Sequence, residues 1–122
     1  MDTTAPRLTV AALADRLLAL LPALADDEGA VVEAHASVVL ARRDLANAEM
    51  HAWDQDLVEG SNAEKRATSL RKQTLQEIIE VERAEGRLRR AQSTLRVHEQ
   101  EARSLRAIIP ALDTRLIVTE RE

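Results

Sequence analysis

The chain has no cysteine, phenylalanine or tyrosine, and its single tryptophan is Trp53. Without cysteine there are no disulfides, thiolate metal sites or thiol nucleophiles. Without large aromatic rings, any core must be built from Leu, Val, Ile and Ala, which suit close helix packing. The three glycines, Gly29, Gly60 and Gly86, stand alone, so there is no glycine-rich loop of the kind that cradles phosphates. Long hydrophobic runs are also missing. The stretch from Leu17 to Ala25 is broken by Pro22 and is far too short to span a bilayer, so no membrane association is expected. Met1 and Asp2 are not followed by a basic, signal-like region, which places the chain in the cytoplasm as a sequence-based expectation.

What remains is a composition of 45% hydrophobic and 31% charged residues over 122 positions, enough for one helical domain spanning 1–122. Net charge is −4, unevenly spread. Residues 1–61 hold 4 Arg against 11 acids, −7; residues 62–109 hold 11 bases against 7 acids, +4; the remainder holds 2 and 3, −1. Two arms of opposite sign attract each other across a hairpin.

The spacing predicts an all-α protein. Residues 1–7 read as a frayed leader. A leucine-rich helix over about 9–24 is expected to start with Thr9 as N-cap, with Leu8 and Leu13 as a hydrophobic staple, and to carry Leu13, Leu17, Leu20, Leu21 and Leu24. Pro22 is expected to kink or end it, with Asp26 and Asp27 capping the next helix, over about 27–58. There Val31, Ala34, Val38, Ala41, Leu45, Ala48 and Ala52 alternate three and four residues apart, a coiled-coil seam rich in alanine. Gly60 is expected to close this helix, and Ser61 with Glu64 to form the capping box of a helix over about 62–109. Its seam is Ala67, Leu70, Thr74, Val81, Ala84, Leu88, Ala91, Leu95, His98, Ala102 and Leu105. Pro110 should stop it, leaving 110–122 as a tail with a short apolar element from Leu112, Leu116, Ile117 and Val118. The result is a long antiparallel hairpin whose facing positions sum to about 122, with the first helix folded back over its open end.

A second apolar stripe, Val32, Ala36, Val39, Ala46, Met50, Trp53 and Leu57, interrupted by Arg43, lies on the opposite side of the middle helix. A helix that is apolar on two faces is expected to be buried on two faces. The first helix is too short to cover this one, so a homo-oligomer, dimer or tetramer, is expected, with this stripe as its interface.

Catalytic and metal chemistry are not expected, and neither is a cofactor. His35, His51 and His98 are far apart in sequence, and no Glu-x-x-His pair occurs. His51 with Asp54 has metal-compatible spacing but reads as a solvated tip, and His98 as a histidine at the core edge. The outward positions of the second long helix from Arg83 to Ala107 include Arg83, Arg89, Arg90, Arg96 and Arg103 and no acid, whereas Glu85, Glu99 and Glu101 fall on the interhelical flanks. Such a face reads first as a solvated surface, which is common on helices of this composition. As an alternative it can hold the phosphates of DNA or RNA, though with no aromatic nearby it has no platform for stacking bases.

The run Gly60-Ser61-Asn62-Ala63-Glu64-Lys65-Arg66 resembles a Gly-x-Asn-Ala-Glu-x-Arg turn of small uncharacterised coiled-coil proteins of bacteriophages and prophages, over residues 30–108. The resemblance implies a phage or mobile-element origin and a role in nucleic-acid metabolism or interference with a host protein. The expected function is therefore that of an oligomeric interaction or scaffold protein with an unidentified protein partner, the alternative being a nucleic-acid-binding accessory protein.

Overall fold

The computed structural model describes residues 9–121, with side chains described for 9–112. It is all-helical: among the described residues there are three helices, α1 (Val10–Asp54), α2 (Ala63–Gln73) and α3 (Leu75–Arg121), and no strand. The chain divides into two compact units. The first takes residues up to Gly29 and from Ser93 onward; the second is Ala30–Gln92. The expected leader, 1–7, lies outside the described residues.

Helix α1 begins as the sequence predicts, with the Thr9 hydroxyl accepting from the Ala12 N–H at 3.0 Å. It does not break at Pro22, nor does α3 stop at Pro110. A mid-helix proline removes one hydrogen bond and crowds the carbonyl four residues earlier. Both prolines are exposed, and so are Leu18 and Arg106 four residues before them, so the disturbance falls on water-facing sides while the packed sides remain intact. The first helix therefore does not fold back as a separate element: 9–24 is the first part of α1. Asp26 and Asp27 are interior to that helix and cap nothing, and the expected tail element belongs to α3. The side chains of Leu116, Ile117 and Val118 lie outside the described set.

In the first unit, Leu20, Ala102 and Leu105 form a buried cluster against which Leu13, Leu17, Leu24 and Ile109 pack. Arg16 to Glu101 and Asp27 to His98 join α1 to α3 in antiparallel order. In the second unit, the expected seam from Val31 to Ala52 is the protected side of α1, and the expected seam of the second arm is protected from Leu70, near the end of α2, onward into α3. Ala67 is exposed, and α2 buries none of its residues.

The turn differs in detail from the expectation. Helix α1 ends at Asp54 rather than near 58, closed by Asp56 at φ 55°, with Leu57 N–H donating to the Ala52 carbonyl and Asp56 N–H to that of Trp53. This is a Schellman closure with Asp56 in the left-handed position. Gly60 does not close the helix, but its φ of 137° and a Cβ position only 2.6 Å from Lys65 Cβ admit no side chain. Asn62, not Ser61, is the N-cap, accepting from the Lys65 N–H at 2.8 Å. The Glu59 N–H donates to Ser69 Oγ, so the connector runs back alongside α2. The expected register holds: Ala41 and Asp44 stand beside Glu77 and Glu80, and Leu45 beside Thr74 and Ile78. The ion pairs Arg42 to Glu85, Asp27 to His98 and Arg16 to Glu101 fall on either side of it, as long side chains reaching diagonally allow.

The second arm is also not one helix. Thr74 stands between α2 and α3 at φ −116°, ψ 19°. Its N–H and its hydroxyl both donate to the Leu70 carbonyl, at 3.0 and 2.9 Å, and its carbonyl accepts from Ile78. A buried β-branched hydroxyl residue competing for its own helix carbonyl bends the backbone without orphaning a polar group.

Candidate interaction surfaces

Helix α1 of the second unit carries its buried seam on one side, and Val32, Val39, Met50, Trp53 and Leu57 on the other, each between 41% and 70% exposed. Ala36, Arg43 and Ala46, between them, are exposed as well. Leu57 stands just past the Asp56 closure, so the helical part of the stripe ends at Trp53. The sequence reading missed Leu40, about half exposed on the flank of this stripe, and Leu75, exposed at the start of α3. Their signal was present as apolar residues off both seams. A scatter of single exposed apolar residues is ordinary; a row at heptad spacing is a contiguous apolar surface.

The arginine positions fall into the two units. Arg83, Arg89 and Arg90 belong to the second, Arg96 and Arg103 to the first, and all five are exposed. In the second unit, Arg83, Arg87, Arg89 and Arg90 surround Gly86 in a shallow cleft with Ile79 and Glu82. The guanidinium groups of Arg90 and Arg89 reach over Gly86, 3.5 and 3.9 Å respectively from where a Cβ would stand. Arg83 is also held by Glu80 at 3.2 Å. Arg87 was not among the outward residues read from sequence, because its heptad position faces a flank.

Two of the three flanking acids pair between helices. Glu85 accepts from Arg42 at 2.9 Å, and Glu101 accepts two hydrogen bonds from Arg16, at 2.7 and 2.9 Å, in a bidentate fork. Those bonds from Arg16, aided by its charge and that of His98, hold the Glu101 carboxyl below its ordinary pKa against a smaller opposing effect of desolvation. The same fork raises the Arg16 guanidinium further.

His98 lies at the core edge of the first unit, its Nδ1 2.5 Å from Asp27 Oδ2. Donation from the ring N–H to the carboxylate fixes the ring orientation. The sequence reading assigned Asp27 to a helix cap and so missed this partner. His35, His51 and Asp54 are exposed, and no group of three or more His, Asp or Glu among the described residues is placed to hold a metal ion. No helix among them is long and apolar enough to cross a membrane. Compared with known proteins, the chain matches no family model, no curated protein and no solved structure.

Proposed function

We propose that this chain is a non-enzymatic helical interaction protein that assembles with copies of itself through the outer face of α1 and offers its remaining helix surface to a macromolecular partner. One observation carries the reading: a helix already packed on one side bears a second apolar row, Val32, Val39, Met50, Trp53 and Leu57, left in water. Leaving such a row uncovered forgoes roughly 25 cal/mol for each Å² of apolar surface, and association recovers it. The resemblance of the turn to small phage proteins suggests a host protein as the further partner.

Sedimentation equilibrium at micromolar concentration tests the assembly. The wild-type chain is expected to sediment as a dimer or larger, and Val39→Glu with Met50→Glu as a monomer of unchanged helix content. A wild-type monomer would remove the reading's main support.

The convergence of Arg89 and Arg90 over Gly86 favours a second reading, binding of a nucleic-acid backbone. Arginines flanking a position with no side chain allow a phosphate to approach closely. Retardation of short DNA that fades as salt rises, and that is lost when Arg89, Arg96 and Arg103 become glutamate, would establish it. No retardation at low salt would leave protein partners alone.

A further inference from the structure

Val32, Ala36, Val39, Arg43, Ala46, Met50 and Trp53 follow one another at alternating steps of four and three residues, the spacing of a second coiled-coil seam. All seven are exposed. Resting on the self-association proposed above, we infer that this seam docks on a second copy of itself in antiparallel orientation, about a two-fold axis lying between Arg43 and Ala46.

The position of Arg43 decides the orientation. In parallel, in-register pairing every seam residue meets its own counterpart, which sets Arg43 against Arg43 and Trp53 against Trp53. Two like charges would then share an apolar seam with no acid at a seam position between them. In the antiparallel arrangement Arg43 faces Ala46 of the partner subunit, whose small side chain leaves room for the guanidinium to reach the edge and water. Trp53 then faces Ala36 of the partner subunit, the largest side chain against one of the smallest, and Val39 faces Met50 of the partner subunit. Val32 comes opposite the cap, where Leu57 lies.

Charge on the flanks follows the same symmetry. Residues at equivalent flanking positions meet across an antiparallel pair, so Arg42, whose guanidinium also donates to Glu85 of its own chain, comes level with the partner's Glu49, and symmetry makes that approach twice. Glu33 meets Asp54 of the partner subunit on the other flank, a like-charged pair at the solvated ends, where salt screens it. Sliding by one heptad in either direction uncovers Val32 with Ala36, or Trp53 with Leu57, and takes Arg43 away from alanine. Only one register covers the whole row.

The row offers five large side chains, each between 41% and 70% exposed, with Ala36, Arg43 and Ala46 exposed between them, on each of two copies. The interface they form is a small one, to be set against the lower end of stable specific interfaces at about 1,200 Å² in all.

Because the chain lacks cysteine, single replacements report geometry without background. Val39→Cys and Met50→Cys are each oxidised alone and then as an equal mixture, with circular dichroism confirming that each folds. In the antiparallel pair the two copies of residue 39 stand about 16 Å apart along the axis, beyond a disulfide's reach of about 7 Å between Cα atoms, whereas 39 and 50 of different copies are adjacent. The mixture is therefore expected to give a disulfide-linked heterodimer, and either variant alone none. Cross-linking of Val39→Cys with itself would overturn the antiparallel arrangement while leaving self-association intact. No cross-link in an assembly that still sediments as a dimer would move the interface off this face. No cross-link with a monomeric wild-type chain would overturn both readings.

Discussion

The two units solve the same packing problem with different side chains. In the first, leucines from α1 and α3 meet around Leu20 and Leu105 and fill the space between the helices. In the second, the fully buried positions are Val38, Ala52, Thr74 and Ala84, mostly small residues that draw the helices close but remove little apolar surface from water. Both units leave large apolar side chains outside: Leu18, Leu21, Val97 and Ile108 in the first, Leu21 among them although the sequence places it on the packed stripe, and the unpartnered row from Val32 to Trp53 in the second. What sets the second unit apart is that its exposed residues continue as one row at heptad spacing along α1 beside a seam of small residues.

The comparison is broken most severely by removing volume from the first unit. Leu20 is 1% exposed, and Leu20→Ala leaves a cavity among Ala102, Leu105 and the surrounding leucines, an expected loss of about 2–5 kcal/mol in denaturant unfolding. The second unit should respond to the opposite change. Ala84 is also 1% exposed but sits where helices approach closely, so Ala84→Leu is expected to overpack the seam and cost about 1–3 kcal/mol. If Ala84→Leu proved neutral or stabilising, the seam would be loose rather than close, and the contrast between the units would fail.

A smaller effect is expected at the turn of the second unit. Asn62→Ala removes the side-chain acceptor for the Lys65 N–H and should cost about 1 kcal/mol, whereas Ser61→Ala, the cap expected from sequence, should be close to neutral. Equal losses from the two would return the cap to Ser61.

Much of this architecture was legible in the sequence because periodicity reports which face of a helix is covered. The seam from Val31 to Ala52 and the outward placement of Arg83, Arg89, Arg90, Arg96 and Arg103 needed nothing more. What the sequence concealed were events decided by tertiary context. Pro22 and Pro110 carry strong local signals for helix ends, yet each falls on an exposed side where the helix can tolerate it. Ser61 with Glu64 makes a plausible capping box, but Asn62 is at least as good a cap and Gly60 sets the approach. Asp56 in the left-handed conformation closes α1 with no glycine to announce it. Gly60 and Asn62 of the turn motif are accounted for by backbone geometry alone. The candidate interface was legible as a doubly apolar helix. The convergence of two arginines over Gly86 was not, because it depends on rotamers.

The smallest expected effect concerns the ion pair that edges the leucine-packed unit. Glu101 is held below its ordinary pKa chiefly by the hydrogen bonds from Arg16. A carboxyl whose folded-state pKa lies below its unfolded value of about 4.3 binds its proton more readily when unfolded, so acid favours unfolding. The contribution of the pair is complete above that unfolded value and is lost as pH falls through the depressed folded one. The wild-type chain should therefore lose slightly more stability between pH 6 and pH 3 than Glu101→Gln, which carries no titrating group there. Because both partners are exposed, the difference should shrink as salt is added. Parallel pH profiles for the two chains at low salt would show that the pairing of Arg16 with Glu101 contributes nothing to the stability of the first unit.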